Sequence, residues 1–379
     1  MKKILLTLLF VFTLYAENNQ TQELSLFDKQ DGMLDVSDYL SQVYGFLPVP
    51  TIITEPAVGY GVGIGLIYFH DAFVGKKSAS GRAIPASISA LFGMATENGT
   101  MVGAGAHIGY YKEDTIRTIS VLGAADINID TYLNDVPIAA NIQGPVFYQA
   151  VKLRIKDSGL FLGAGYMYST MKTNLDIPSP INDGRIELEN EAVEAAAQLI
   201  LEYDTRDNTL SPSSGYFINL KSNFFSEAVG GDSDFQRHMF KSYFYKPVTD
   251  KLNINLNITA ETMEGDDAPF YAYPFIILRG MPMMAVQGQH ILSSELELCL
   301  ELTPRWEILA FGGVGKAFGD NQFGVNSKSF NAAASNYTGG AGFRYLVAKK
   351  FGLKMGLDIA TSKYDNAFYI QVGSAWAGF

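Results

Sequence analysis

The chain has 379 residues, of which 13% are aromatic and only 18% are charged, and its formal net charge is −11. Nucleic-acid partners need clustered Lys and Arg for phosphate contacts, so this acidic balance argues against them. The single cysteine, Cys299, excludes an internal disulfide, and its distance from the amino terminus excludes a lipoprotein anchor.

The amino terminus has the pattern of a secretory signal. Lys2 and Lys3 precede an apolar run over 4–14, and the small residue Ala16 comes before a polar stretch. The run is too short to span a bilayer as a helix, which takes about 20 residues. We therefore predict a signal peptide over 1–16; a short buried helix is the alternative.

The next segment, 17–56, is polar and acidic and contains Pro48, Pro50 and Pro56. It has no room for a separate folded module. We interpret it as a short periplasmic lead or a small luminal plug, and we assign 57–379 to the main domain.

From residue 57 onward the dominant period of hydrophobicity is two, which indicates β-strands. In 57–69, apolar residues alternate with glycines and are bounded by Tyr60 and Tyr68. Eight residues span roughly 26 Å, close to the ~25 Å apolar band and aromatic girdles of a membrane barrel. The runs 252–262, 295–302 and 353–359 alternate in the same way, with Leu, Ile and Met against Asn, Glu, Asp and Lys.

A secreted sandwich alternates too, but the signal peptide, the girdle tyrosines and the lack of cysteines favour an all-β transmembrane antiparallel barrel. Candidate strands lie near 57–70, 83–95, 101–111, 114–128, 144–155, 159–172, 190–204, 213–226, 234–247, 251–263, 289–302, 305–317, 336–347, 352–361 and 366–376. Since single-chain bacterial barrels have even strand numbers, we expect 16 strands, with 14 as the alternative. The missing strand is placed in 129–143.

The linkers between these strands alternate in length. Short linkers include 156–159, 247–251 and 303–305, and long ones include 173–189, 264–288 and 318–335. Short periplasmic turns and long outer loops are the usual asymmetry of such barrels.

No catalytic or cofactor-binding pattern stands out. The sequence lacks the Gly-x-Ser-x-Gly elbow of serine hydrolases, and Gly315-Lys316 lacks the flanking Gly and Ser/Thr of a phosphate loop. The four histidines, at 70, 107, 238 and 290, lack ligand spacing and are interpreted as girdle or luminal residues. We therefore predict no enzyme activity, no cofactor and no metal.

Three stretches carry motifs. The first is a string of turn-forming residues, and its members are Asp204, Arg206, Asp207, Asn208, Pro212 and Gly215. The second is Leu278-Arg279-Gly280-Met281, inside a long predicted loop. The third is the carboxy-terminal series 339–344, 356–360 and 368–376.

These stretches, in this order, resemble the BamA/TamA family of outer-membrane barrels, the bacterial surface-antigen family. The resemblance covers 31–376. Its lead-in, at Asp31-Gly32, 45–48 and 55–60, resembles short members that lack the periplasmic POTRA domains. The sequence departs from the family at Met281, where the family has Tyr or Phe, and this keeps a bulky apolar side chain.

The resemblance implies roles for each motif. It implies a periplasmic turn at 204–215 and an outer loop that folds into the lumen with Arg279 at its tip. It also implies a carboxy-terminal assembly signal on the outward face of the last strand, consisting of Phe368, Ile370, Val372 and Trp376. Phe379 is the alternative end of that signal.

A guanidinium in a confined lumen needs carboxylate acceptors, because an unpaired buried charge is costly. Alternation puts Asp358 on the luminal face, together with three glutamates at 295, 297 and 301. The resemblance marks the strand of Asp358 as facing the loop of Arg279. We therefore rank Asp358 first and Glu297 second as partners of Arg279.

The resemblance further implies a role in inserting or translocating proteins or lipids at the outer membrane of a Gram-negative bacterium. A weak seam between first and last strand would let a client strand pair there. Expected partners are outer-membrane lipid, the barrel-assembly machinery during biogenesis, and a separate periplasmic partner or client barrel protein. The alternative is a passive pore or structural surface protein, in which an acidic lumen favours cations.

Overall fold

The structure is a computed structural model. It describes residues 25–42, 45–70, 76–77, 83–84, 86–133, 136–178, 185–265, 267–324 and 326–376. The predicted signal peptide and Phe379 lie outside this described part of the chain. No helix within it is long and apolar enough to cross a membrane.

The described chain forms an all-β, nearly closed barrel of 16 antiparallel strands, as predicted. In chain order the barrel strands are β1 Gly45–Ile53, β2 Gly61–Phe69, β5 Ile88–Thr96, β6 Met101–Tyr111, β7 Ile116–Leu133, β8 Val136–Arg154, β9 Leu160–Pro178, β10 Arg185–Asp204, β11 Gly215–Phe225, β12 Phe235–Pro247, β13 Leu252–Glu264, β14 His290–Glu301, β15 Trp306–Asp320, β17 Asn336–Ala348, β18 Leu353–Ser362 and β19 Asn366–Val372.

The other elements are short. β3 Lys76–Lys77 pairs with β4 Ala83–Ile84, and β16 Ser327–Lys328 extends the end of β15. Helix α1, Ser37–Gln42, precedes β1. Single 3₁₀ turns lie at Glu227–Val229, Phe270–Ala272 and Lys349–Phe351.

Alternation along each strand sorts side chains between lipid and lumen. On β14, the outward Leu296 and Leu298 are exposed, whereas the intervening Glu295 and Glu297 are buried inside the barrel. On β2 the outward Val62 is exposed as well. The predicted faces of these strands are therefore confirmed, and the polar residues of the alternating runs line the lumen.

The four strands β7 to β10 are longer than the membrane requires. They contain 18 to 20 residues each, and at about 3.3 Å per residue they exceed a ~25 Å apolar band. The segment 129–143 belongs to β7 and β8, so the prediction of a separate strand there is wrong. Most of 173–189, expected to be a long loop, continues β9 and β10 beyond the outer membrane surface.

The strand missed in the sequence is β1, which pairs with β2 in register from Gly45 to Ile53. The assignment of 17–56 to a lead or plug is therefore too long, and the barrel begins before residue 57. The sequence analysis missed this strand because it contains Pro48 and Pro50, and proline is tolerated in strands mainly at sheet edges. The glycine-rich run at 57–69 is consequently the second strand, not the first.

The barrel has a seam between its first and last strands. β1 pairs with β2 and β19 pairs with β18, but no ladder joins β1 to β19 within the described chain. Contacts across the seam include the Thr54 hydroxyl, which donates to the Phe368 carbonyl, and the stacked rings of Tyr60 and Phe368, whose centroids are 6.1 Å apart. Both contacts lie at the outer end of the seam.

Candidate functional site in the barrel lumen

The long connection between β13 and β14 folds back into the barrel. Its apolar side chains Ile276, Leu278 and Met281 are buried together with Ile291 of β14. Nearer the outer end, Phe270 packs in another cluster against the extended part of β7 and β8. Burial of apolar surface on both sides therefore holds this luminal loop, 267–289, inside the barrel.

The tip of the luminal loop approaches β18 closely at Gly280. Gly280 has φ +86°, and a Cβ there would lie 2.9 Å from the backbone nitrogen of Thr361. Its own N–H donates to the hydroxyl of Tyr369 on β19, at 2.9 Å. Glycine is required because a larger residue would push the tip off the wall. The arrangement fixes the neighbouring Arg279 at a set depth in the lumen.

Three carboxylates surround the guanidinium of Arg279. Its Nη1 donates to Asp358 Oδ2 at 2.8 Å and its Nε donates to Glu295 Oε1 at 3.0 Å. Its Nη2 lies 2.8 Å from Glu297 Oε2 as an ion pair. The face of the guanidinium rests on the Phe311 ring, 3.5 Å from its centroid. The structure thus brings together Arg279, Asp358 and Glu297, as the sequence analysis expected, and adds Glu295.

Charge in this cluster is nearly balanced. Burial alone would lower the pKa of Arg279, but the coulombic attraction of Glu295 and Glu297 outweighs it and raises the pKa. A second cation, Arg344 of β17, donates to both oxygens of Asp358, with its Nη2 at 2.9 Å from Oδ2. Two guanidinium groups therefore offset three carboxylates, which is what makes their burial tolerable.

The glycines of β17 make room for this cluster. A Cβ on Gly342 would lie 2.1 Å from Asp358 Oδ1, and one on Gly340 would lie 2.3 Å from the Phe311 ring. The glycines of the carboxy-terminal motif at 339–344 therefore leave space inside the barrel for Phe311 and Asp358, and the motif ends in Arg344. The sequence analysis missed Arg344, although Arg344 lies two and four residues after Gly342 and Gly340 and therefore shares their luminal face.

Trp376 lies elsewhere than predicted. Phe368, Ile370 and Val372 share the outward parity of β19, but the chain turns at Gly373, φ +83°, and Trp376 is buried in the lumen. Its indole Nε1 donates to Glu295 Oε1 at 2.8 Å, and its ring stacks on Tyr243. The prediction that Trp376 continues the outward face is therefore wrong, because a left-handed glycine breaks the strand period.

The motif 204–215 forms a turn between β10 and β11, as expected. Asp204 pairs with Arg206 at 2.9 Å, Asp207 accepts the N–H of Ser213, and Gly215 has φ +103° after Pro212.

The same turn crosses the periplasmic mouth of the barrel. Asn208 donates to the Phe351 carbonyl at 2.8 Å, and the Leu210 carbonyl accepts from Ser374 N at 2.6 Å. The turn and the residues before Trp376 together lie over the periplasmic end of the lumen.

Comparisons with known proteins agree with this architecture. The Omp85 superfamily domain matches residues 127–273. No curated protein sequence matches the chain significantly.

Solved structures share the fold at low identity. BamA from Haemophilus ducreyi lacking POTRA domains 1-3 is similar with a TM-score of 0.58 and 11% identity, over 87% of this chain and 70% of that one. CdiB from Escherichia coli has a TM-score of 0.55 and 10% identity, over 85% and 61% of the two chains. CdiB from Acinetobacter baumannii has a TM-score of 0.54 and 10% identity, over 86% and 59%.

The chain thus spans less than two thirds of either CdiB. The domain match and the shared barrel architecture point to one class of protein, found in the outer membrane of Gram-negative bacteria. We conclude that the chain is an outer-membrane β-barrel and that its residues 127–273 match the Omp85 superfamily domain.

Proposed function

We propose that the barrel helps to insert or translocate a protein or lipid at the outer membrane, through the seam between β1 and β19. The observation that carries the proposal is the absent ladder between these two strands in the described chain. An edge strand with unpaired N–H and C=O groups is a template on which a client strand can pair.

The sequence of β1 supports a weak seam. Pro48 and Pro50 occupy alternate positions of the strand, and alternate residues direct their backbone groups to the same side. Proline has no N–H, and it is tolerated in a strand where that missing donor faces away from the ladder. Since β1 pairs with β2, the edge of β1 that faces β19 lacks two donors. A continuous ladder along that edge is therefore weaker than one between ordinary strands, and the seam costs less to open.

The contents of the lumen favour this function over a passive pore. The luminal loop is fixed to the wall by Arg279, Asp358 and Glu295. Trp376 and the turn around Leu210 lie below it. An ion path through the barrel would have to displace both layers, whereas a client at the seam would leave them in place.

The partners follow from the same geometry. The barrel contacts outer-membrane lipid through its outward face, and its own biogenesis would use the barrel-assembly machinery. We propose a client barrel protein at the seam, or a separate periplasmic partner below it. BamA and CdiB are similar to this chain in fold.

A reversible bridge across the seam tests the proposal. In a Cys299→Ser background, Tyr60→Cys and Phe368→Cys place thiols where two rings now stack. A short bifunctional thiol reagent then joins the two sides. We expect the bridged protein to lose its acceleration of insertion of a small unfolded barrel protein into liposomes.

The matched control bridges two paired strands away from the seam. Tyr216→Cys and Phe244→Cys replace ladder partners on β11 and β12, with ring centroids 5.6 Å apart. This bridge should leave insertion unchanged. Equal insertion by bridged and unbridged seam variants would overturn the proposal. Steady conductance in planar bilayers that neither bridge alters would support the pore instead.

A further inference from the structure

An arginine on the periplasmic rim is enclosed by the residues that precede the barrel. Arg305, just before β15, has a side chain only 2% exposed. Its guanidinium nitrogens lie 2.7 Å from carboxylate oxygens of Asp28, Asp31 and Asp35. Three separate carboxylates on one guanidinium form a specific binding arrangement, since each uses a different edge of the planar group.

We call residues 25–36 the N-terminal clip. Its two ends are joined by a bridge between Phe27 and Leu34. Asp28 accepts the N–H of Gln30, and Asp31 accepts that of Met33, so the same carboxylates that bind Arg305 also shape the clip. The clip is therefore ordered locally around its binding residues.

Further contacts fasten the clip to the rim. The N–H of Val36 donates to the Val347 carbonyl at 2.8 Å, as in a short extension of the sheet beside β17. The hydroxyl of Tyr345 donates to the Leu34 carbonyl at 2.7 Å. Lys349 Nζ lies 3.1 Å from Asp28. Backbone and side-chain contacts thus attach the clip to the turn between β17 and β18.

The path of the chain turns this attachment into a strap. The clip docks at Arg305 before β15, at β17 and at the turn that follows β17, on the β19 side of the seam. The chain then passes through α1, Ser37–Gln42, and becomes β1 on the opposite side of the seam. Since β1 has no ladder to β19, this covalent path joins the two sides at the periplasmic end.

We propose that the rim around Arg305 is a docking surface for an acidic peptide segment, that its occupant is this chain's own clip, and that the docked clip straps the seam shut at its periplasmic end. The biological use of such a restraint rests on the proposed function of the seam. Undocking the clip would free the periplasmic end of β1 to move away from β19.

The charges favour docking over the whole physiological range. Hydrogen bonding to Arg305 lowers the pKa of Asp31, and the hydrogen bond from the Gln30 backbone, with that from Lys349, lowers the pKa of Asp28. A carboxylate with a lowered pKa contributes stability above its unfolded value, and this stability is lost as pH falls through the folded pKa. The clip should therefore stay docked near neutral pH, where release needs a competing partner.

Hydrogen–deuterium exchange in lipid nanodiscs tests the strap without any insertion assay. Arg305→Gln should raise exchange in the clip. It should also raise exchange in β1 by roughly tenfold, because an edge strand released at its periplasmic end frays more often from its ladder with β2. The control Lys251→Gln removes an exposed cation from another periplasmic turn. It should change neither region.

A second variant separates the strap from a local effect of the clip. An insertion of about six Gly and Ser residues after Gln42 slackens the chain but leaves every clip contact in place. We expect exchange in β1 to rise as in Arg305→Gln, with the clip still protected. If β1 stays protected in both variants, or in the slackened variant alone, the strap is overturned. If exchange in β1 rises in both variants but both variants lose insertion activity, the strap stands and the proposed function of the seam is contradicted.

Discussion

The guanidinium of Arg279 donates to Asp358 Oδ2 at 2.8 Å, and the same carboxylate accepts from Arg344 on the neighbouring strand. Asp358 is fully buried, so it cannot exchange either partner for water. One side chain of β18 therefore fixes both the luminal loop and the wall beside the seam. The luminal loop and the strands β17 and β18 are therefore held together through Asp358.

The network predicts coupled energies for Arg279 and Asp358. Arg279→Ala and Asp358→Ala should each cost about 3 kcal/mol, because each leaves buried charges without a partner. The double variant should cost less than the sum by roughly 1–3 kcal/mol. The measurement is the unfolding midpoint from the shift in electrophoretic mobility on heating. Arg279→Ala combined with Arg117→Ala, in a separate cluster, should be additive, and additivity of the first pair would disprove the coupling.

Trp376 should stabilise the site through a single hydrogen bond. Trp376→Phe keeps the stacking on Tyr243 but removes the donor to Glu295, so we expect a loss of roughly 1.5–3 kcal/mol. Trp306→Phe is the control, since that indole lies on the exposed outer wall. The two midpoints of heat denaturation should differ clearly. Equal midpoints would mean that the Trp376 indole does not bind Glu295.

The two faces of β13 should respond differently to charge. Leu256→Arg places a charge in lipid near the midplane and should cost roughly 2–4 kcal/mol, whereas luminal charge is tolerated. Asn257→Arg is the inward control, because Asn255 is already packed against Glu297 and Cys299. Folding yields into liposomes, measured for both variants, should fall only for Leu256→Arg. A comparable fall for both would mean that the faces are reversed.

Acidification should strengthen the outer end of the seam. Burial raises the pKa of Glu55 above its ordinary value of 4.5, although Met283 and Ala57 donate to it. Such a group contributes stability below its unfolded pKa, and loses that contribution as pH rises through the folded pKa. Wild type should therefore gain thermal stability between pH 7.5 and 5, and Glu55→Gln should gain less.

The control for Glu55 is Glu227→Gln, which replaces an exposed carboxylate of another outer loop. It should keep the pH dependence of the wild type. If Glu55→Gln keeps that dependence as well, burial does not raise the pKa of the Glu55 carboxyl.

Much of the barrel could be predicted from local patterns. Alternation at 295–302 gave both the strand and its luminal face, because the period of a strand is two whatever its neighbours are. The partnership of Arg279 and Asp358 needed two signals together. Parity placed the carboxylate in the lumen, and the family resemblance placed the arginine there.

What escaped prediction depends on breaks in period or on distant partners. β1 was missed because Pro48 and Pro50 interrupt the strand pattern at an edge, where proline is tolerated. Trp376 was assigned to the wrong face because Gly373 turns the chain out of register. The binding of Arg305 by Asp28 and Asp31 joins residues more than 270 positions apart, and nothing local in either segment indicates it.

Site-specific photo-crosslinking in cells tests the central claim most directly. Ile52 of β1 and Ile370 of β19 flank the seam and are 47% and 44% exposed, and Leu220 of β11 is a matched outward position at 45%. With a photoreactive residue at each site in turn, the seam positions should form adducts with a newly exported barrel protein, and position 220 should not. Adducts of equal yield at all three positions, or at none, would contradict the account.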